Sequence, residues 1–423
     1  MKKGLKRIGL AVVAVGLSIT LLLTAAIPLC EAGPDERVVK IGIPITLTGA
    51  VAVTGWAGLG FVDRMRYTNE QGILEGVRVE CSWIECGQAP IVQSITAHKR
   101  FAAEGAALEF SYILEEMEVV APRLAREGMP IVSGANPSSL TLTKPIPWIF
   151  SVTCSADDYY ATGPKWFVDN WAEERPVRIG MLMYDQSPAW RGLDGIKALI
   201  EGYGPKKAEL VGYEVVPLLG AIDTSTEWLR LAEKGCDLIF VLACGSTLNV
   251  LVKDCARLEI QEKGITVIEC GECMEGTVMS VGEAADGWYM IRYLRSPLEG
   301  MMDVADVPGV KALWEAAKKY RGLDQQDLRK GPLYVVGWSL GVIAAEGIRL
   351  AAEKVGVENL SGGAIRDGLA SINDLDMGGL MQRVTVSDTK PYFSDTAYVY
   401  RIQGGEVFCV AEAPIPNTLF LTF

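Results

Sequence analysis

Val38-Val39-Lys40-Ile41-Gly42-Ile43-Pro44-Ile45 is a near-continuous apolar run of strand length. A strand with one wet face alternates apolar and polar residues. One that stays apolar is covered on both faces, and in alternating chains the cover is helix. Reading outward, Gly58–Glu70 is predicted as helix, Val77–Ile84 as strand, and Pro90–Glu104 as helix opened by its proline. Leu108–Ser111 (strand), Glu115–Glu127 (helix) and Pro130–Ser133 (strand) complete a first set. The pattern then restarts. Trp148–Val152 reads as strand, Asp157–Trp171 as helix interrupted by Pro164, Val177–Met183 as strand and Trp190–Tyr203 as helix. Val211–Val216, Thr226–Lys234, Asp237–Leu242, Thr247–Leu258 and Ile265–Ile268 continue the alternation. Two successive βα sets predict an α/β fold with two lobes of similar build and parallel sheets covered on both faces.

The last third changes character. Val310–Tyr320, Val335–Val355 and Ala364–Ile372 are predicted helices. Val384–Val386, Ala397–Ile402 and Val407–Ala411 are predicted short strands, the last two joined as a hairpin by Gly404-Gly405. No low-complexity linker separates the lobes, so several short crossovers are expected rather than one tether. Ligands in open α/β sheets sit beyond the carboxyl ends of the strands. That points to loops 46–57, 85–89, 111–114, 133–139, 184–190, 243–246 and 269–275.

Composition narrows the function. The chain has 423 residues, 49% apolar and 22% charged, enough to bury a sizeable core. Its formal charge is −12. Lys2, Lys3, Lys6 and Arg7 near the start are opposed there only by Glu31, so the body is more acidic still. Phosphates need a basic surface, and no nucleic-acid partner is expected. His98 is the single histidine, which excludes any site needing two from one chain.

The basic start precedes an uncharged run from Ile8 to Leu29, the pattern of an export signal. Residues 1–32 are read as that signal. Cys30-Glu31-Ala32 places small residues for cleavage after Ala32; Ile27-Pro28-Leu29-Cys30 approaches a lipoprotein box with Cys30 lipidated, although Leu29 is large for it; an uncleaved anchor is the third reading. All three put the body outside the cytoplasm, in the periplasm or anchored at the membrane.

Cys81, Cys86, Cys154, Cys236, Cys244, Cys255, Cys270, Cys273 and Cys409 follow Cys30, too sparse and odd in number for a disulfide framework. Cys236, Cys255 and Cys409 read as small buried hydrophobes. Cys270-Gly-Glu-Cys273 lacks the second pair a zinc site would need and is assigned a structural or pocket-lining role. No metal or cofactor is expected. Gly337-Trp-Ser-Leu-Gly341 matches the G-x-S-x-G of a hydrolase elbow, but no histidine follows Ser339, so the ordered triad cannot form and helix packing is the better reading. Gly58-Leu-Gly60 lacks the third glycine of a dinucleotide loop, and no P-loop occurs. His98 shares a predicted helix face with Ile91, Ile95 and Ala102 and is expected as a satisfied histidine at a core edge.

An ordered set of segments carries a resemblance. Lys40-Ile-Gly-Ile-Pro-Ile-Thr-Leu-Thr-Gly49 resembles the opening of type I solute-binding proteins of ABC transporters, the branched-chain amino-acid-binding family. Asn69-Glu-Gln-Gly72 with Gly76-Val-Arg-Val79, Gly128-Met-Pro-Ile-Val-Ser133 with Asn136-Pro137 and Leu140-Thr141, Arg191-Gly-Leu193, Asp223-Thr224, Cys236-Asp-Leu-Ile239 and Ala285-Asp-Gly287 resemble later family segments in the same order. The resemblance spans roughly residues 38 to 410. It implies the type I periplasmic-binding-protein fold, two Rossmann-like lobes joined by three hinge crossovers around a cleft. The implied division is 36–153 plus 289–385 for the amino-terminal lobe, 154–288 plus 386–412 for the other, and a tail at 413–423. The implied function is capture of a small organic ligand without chemistry and delivery to a membrane permease by a monomer. A sensor partnering a signalling receptor and a hydrolase using Ser339 are the alternatives.

The resemblance also implies cleft positions: Thr54, Trp56, Tyr112, Leu114, Ser133, Ala135, Asn136, Asp157, Tyr159, Ala189, Trp190, Cys244 and Glu272, with Tyr160 beside Tyr159. Glu272 stands where the family places the acid that meets a ligand ammonium, and Ala189 where it has a tyrosine. The hydroxyl-rich turn that holds a ligand carboxylate is replaced by Tyr112-Ile-Leu-Glu-Glu116. A flat, aromatic or amine-bearing ligand is therefore expected over leucine, isoleucine or valine.

Overall fold

The computed structural model describes residues 36–49, 52–87, 89–138, 141, 147–271, 273–296, 307–324, 327–328 and 331–417. The export signal with Cys30, and Glu272, lie outside them.

The first set forms as β1 (Arg37–Ile45), α1 (Gly55–Glu70), β2 (Val77–Glu85), α2 (Pro90–Ala103), β3 (Leu108–Ser111), α3 (Leu114–Val120), α4 (Leu124–Glu127), β4 (Ile131–Ser133) and β5 (Ile149–Thr153). The predicted helix 115–127 is thus broken by a 3-10 turn at Ala121–Arg123, where Pro122 lacks the N–H to continue. The second set is α5 (Ala156–Tyr160), α6 (Thr162–Asp169), β6 (Val177–Tyr184), α7 (Ser187–Tyr203), β7 (Ala208–Val216), α8 (Ser225–Glu233), β8 (Leu238–Leu242), α9 (Gly245–Arg257), β9 (Thr266–Cys270), α10 (Met274–Val281) and β10 (Tyr289–Arg292). Then come α11 (Pro308–Arg321), α12 (Leu333–Val355), α13 (Gly362–Leu369), β11 (Tyr392–Ser394), β12 (Thr396–Gln403) and β13 (Glu406–Pro414).

Two α/β sheets result. The first, in order β11-β5-β4-β3-β1-β2, is parallel throughout. The second runs β13-β12-β10-β9-β8-β6-β7, with β12 and β13 antiparallel at one edge. The chain passes between the sheets three times: after β5, after β10, and between β11 and β12. The apolar reading of β1 holds, since Ile41, Ile43 and Ile45 are at most 3% exposed.

Four expectations shift. Residues 289–292 pair with β9 and β12 in the second sheet, so the segment expected to return at 289 does so only after Arg292. Tyr392–Ser394, expected in the second lobe, pairs with β5 in the first sheet. Val384–Val386 makes no strand; Val384 only bridges Leu375. The tail expected from 413 begins inside β13. Each depends on a distant partner that a short segment does not announce.

Glycines set the closest approach of α1 to α12. A Cβ at Gly60 would lie 2.1 Å from the Tyr334 carbonyl oxygen, and one at Gly337 would lie 1.7 Å from that of Ala57. The Gly337–Gly341 motif is therefore helix packing. Ser339 is 1% exposed in mid-helix, with no elbow. Gly58-Leu-Gly60 sits inside α1 and makes no phosphate loop. Cys236 and Cys255 are buried as expected, while Cys409 is half-buried on β13.

Candidate functional site

The carboxyl ends of the two sheets face a common cavity of about 230 Å³. From the first side come Val53 and Thr54 before α1, Pro90 and Ile91 at the start of α2, Tyr112 to Glu115 after β3, and Gly134 to Asn136 after β4. From the second come Tyr184 and Gln186 after β6, Leu218 and Leu219 after β7, Ala243 to Gly245 after β8, and Cys270, Gly271 and Cys273 after β9. Nearly every strand end contributes, as expected where loops on a rigid α/β scaffold converge.

Of the residues implied by resemblance, Thr54, Tyr112, Leu114, Ala135, Asn136 and Cys244 line the cavity, and so does Tyr160. The other described ones, Trp56, Ser133, Asp157, Tyr159, Ala189 and Trp190, do not line it. Trp56 packs on Gly331, where a Cβ would come within 2.6 Å of its ring. Ser133 is fully buried, its hydroxyl donating to the Ala135 carbonyl at 2.7 Å. Asp157 is buried against α7, its carbonyl 1.8 Å from where a Gly195 Cβ would stand. Tyr159 is fully buried and its hydroxyl donates to the Ile291 carbonyl at 3.2 Å. Ala189 is buried in α7. Trp190 donates through Nε1 to Asp185 at 2.8 Å and meets Tyr213 edge-on. Tyr184 lines it from the expected loop 184–190, while Leu218, Leu219 and Leu333 line it from outside the expected loops. The strand-end rule would have found Leu218 and Leu219 had it been applied to β7.

The turn after β3 decides the polarity. Ser111, its one aliphatic hydroxyl, donates to Glu116 Oε2 at 2.6 Å and accepts the Ile113 N–H, so it points away from the cleft. Glu116 is fully buried behind the turn. Glu115 lines the cavity from the first turn of α3, and burial raises its carboxyl above the ordinary value. Among the described lining residues none is Arg, Lys or His. Asn136 is fixed by the Thr153 hydroxyl, 2.5 Å from its Oδ1. Cys244, Cys270 and Cys273 form one wall, and a hydrogen bond with Cys273 holds the Cys244 thiol below its ordinary range.

A sequence model of the family described as periplasmic binding protein matches residues 38–406. The chain belongs to that family. Family members of this fold, type I, are solute-binding proteins of ABC transporters working outside the cytoplasm. Solved structures agree in fold. A branched-chain amino-acid ABC transporter protein from Thermus thermophilus with bound valine has a TM-score of 0.76 at 16% identity, covering 92% of this chain and 99% of that one. A solute-binding protein from R. palustris in complex with 4-hydroxybenzoate has a TM-score of 0.71 at 18% identity, covering 91% and 100%. A fatty-acid ABC transporter substrate-binding protein from Thermomonospora curvata has a TM-score of 0.69 at 16% identity, covering 93% and 96%. No curated protein sequence matches. At such identities the shared property is the fold, and this periplasmic binding protein's ligand has to be argued from its own cleft.

Proposed function

We propose that this protein captures a small single-ring compound, best one bearing an amine, and delivers it to the permease of an ABC importer. The observation that carries the reading is the cavity: three tyrosines, Tyr112, Tyr160 and Tyr184, one acid, Glu115, and no described base. An apolar cavity of about 150 Å³ takes benzene, so about 230 Å³ suits one substituted ring. Ring faces favour stacking or a cation, and a ligand carboxylate beside Glu115 would meet like charge in a poorly solvated space. The relative from R. palustris holds 4-hydroxybenzoate and that from Thermus thermophilus holds valine, so ligands of this size fit such clefts.

Binding works by population shift. The chain crosses between the sheets after β5, after β10 and between β11 and β12, and a ligand touching loops of both favours the closed arrangement by its differential contacts. Small molecules released from the denatured native protein should include a single-ring compound with an alkyl amine, identified by mass spectrometry. Adding that compound should lower the radius of gyration in X-ray scattering. A tightly bound ligand with an unchanged scattering profile, in protein first stripped of ligand, rejects closure.

A further inference from the structure

Behind the cleft loop lies a polar cluster that ligand capture does not use. Glu109 points from the middle of β3 into the layer beneath α2 and α3. His98 Nδ1 lies 2.5 Å from Glu109 Oε2, and His98 Nε2 lies 2.8 Å from Glu127 Oε2. Glu116 joins from α3. The side chains of His98, Glu109 and Glu116 are all fully buried, and one donor atom from each falls within 4.8 Å of the others. The helix face that buries His98 also carries Ser94, Ala97 and Phe101, while Ile91 is exposed; the histidine is thus inside the core, not at the edge expected from sequence.

Hydrogen bonding does not saturate this cluster. Glu109 Oε1 and Glu116 Oε1 are buried and accept from no N–H or hydroxyl donor among the described residues; the two carboxyls lie within hydrogen-bonding reach of each other instead. Two carboxylates side by side in a dry interior repel and lose their hydration. Nε2–H donates to Glu127 at 2.8 Å, and a single proton lies between Nδ1 and Glu109 Oε2 at 2.5 Å, the place a bound cation would take. A carboxylate holding the far nitrogen of a ligating histidine is the usual support of such a ligand.

We propose that His98 Nδ1, Glu109 and Glu116 bind one divalent transition cation of the Zn²⁺ type, with Glu127 supporting the histidine. One imidazole and two carboxylates suit that class of ion, and two negative charges offset its two positive ones. Zinc bonds to nitrogen and oxygen of about 2.1 Å in a tetrahedron put donors about 3.4 Å apart. His98 and Glu109 must therefore separate by about 0.9 Å from their present contact, a side-chain rotation rather than a backbone change. The ion would brace the cleft, because Glu116 also holds Ser111, and Ser111 holds the turn carrying Tyr112 to Glu115. It is independent of the ligand's identity.

The test uses the full mature protein, stripped with chelator and dialysed. Titration with Zn²⁺ followed by calorimetry should give one equivalent bound at micromolar or tighter affinity. Co²⁺ should give visible d–d bands that Zn²⁺ abolishes, without a thiolate charge-transfer band. H98Q and E116Q should each weaken uptake about 100-fold, and E127Q about 10- to 100-fold. C244S/C273S should leave it unchanged. The wild-type titration decides the matter even if the core variants fail to fold. Absence of stoichiometric uptake by the folded wild type, or a thiolate band in the cobalt spectrum, overturns the assignment. The first result would mean that a shared proton joins the two carboxyls; the second would mean that the cysteine wall takes the metal.

Discussion

Replacing Glu115 by glutamine removes the one carboxylate that the described residues present to the cavity while keeping its shape. Glu115 is half-buried in the first turn of α3, and burial lifts its carboxyl above 4.5. An ammonium about 4 Å away at an effective dielectric near 20 gains about 4 kcal/mol of attraction, part of which desolvation returns. The net value of a charged hydrogen bond is about 1.5–3 kcal/mol. At about 1.4 kcal/mol per factor of ten, Glu115→Gln should weaken a ring compound bearing an alkyl ammonium about 10- to 100-fold. Phenol, with no charge, should change less than about threefold. 4-Hydroxybenzoate should bind better in the variant, because the like charge is gone. The wild type should bind leucine, isoleucine and valine weakly or not at all. The pH response has a definite sign. Glu115 has a raised pKa, so as pH falls through that value it becomes neutral and amine affinity drops. The amine itself stays protonated throughout. In the glutamine variant the profile should be flat. Calorimetric titration of both proteins with tyramine, phenol, 4-hydroxybenzoate and leucine measures all of this. Equal losses for tyramine and phenol, or submicromolar leucine binding by the wild type, would refute the assignment of Glu115 as the charge that selects the ligand.

Gly195→Ala should destabilise the protein by about 2 kcal/mol net, since its Cβ would stand 1.8 Å from the Asp157 backbone oxygen and the helix-propensity gain of about 1 kcal/mol offsets only part of the overpacking. Gly202→Ala in the same helix has nothing within 4 Å and should be stabilising by about 0.5–1 kcal/mol; urea denaturation of the pair compares them directly. Protein from its native host should have a mature amino terminus after Ala32, read by intact mass; a chain starting at a diacylated Cys30 would reverse that expectation.

The order of elements could be read in the residues. Parallel strands buried on both faces must be apolar along their length, and helices covering them must alternate with them, so β1 to β9 and most helices are visible as runs and stripes. The rule that ligands gather beyond strand ends points to loops that meet at the cavity, since Thr54, Tyr112, Ala135, Asn136 and Cys244 all line it. The sequence could not say which way a loop side chain turns. Trp190 and Trp56 looked like cleft aromatics, yet one is drawn to Asp185 and the other lies under Gly331. Nor could it say which sheet Tyr289–Arg292 or Tyr392–Ser394 joins, because three- and four-residue strands are defined by distant partners. His98 shows the difference most sharply. Its helix and the strand of Glu109 are each legible alone, but only folding brings an imidazole and three carboxyls from α2, β3, α3 and α4 together. Local patterns report whether a residue is covered; what covers it is a property of chain segments far apart in sequence.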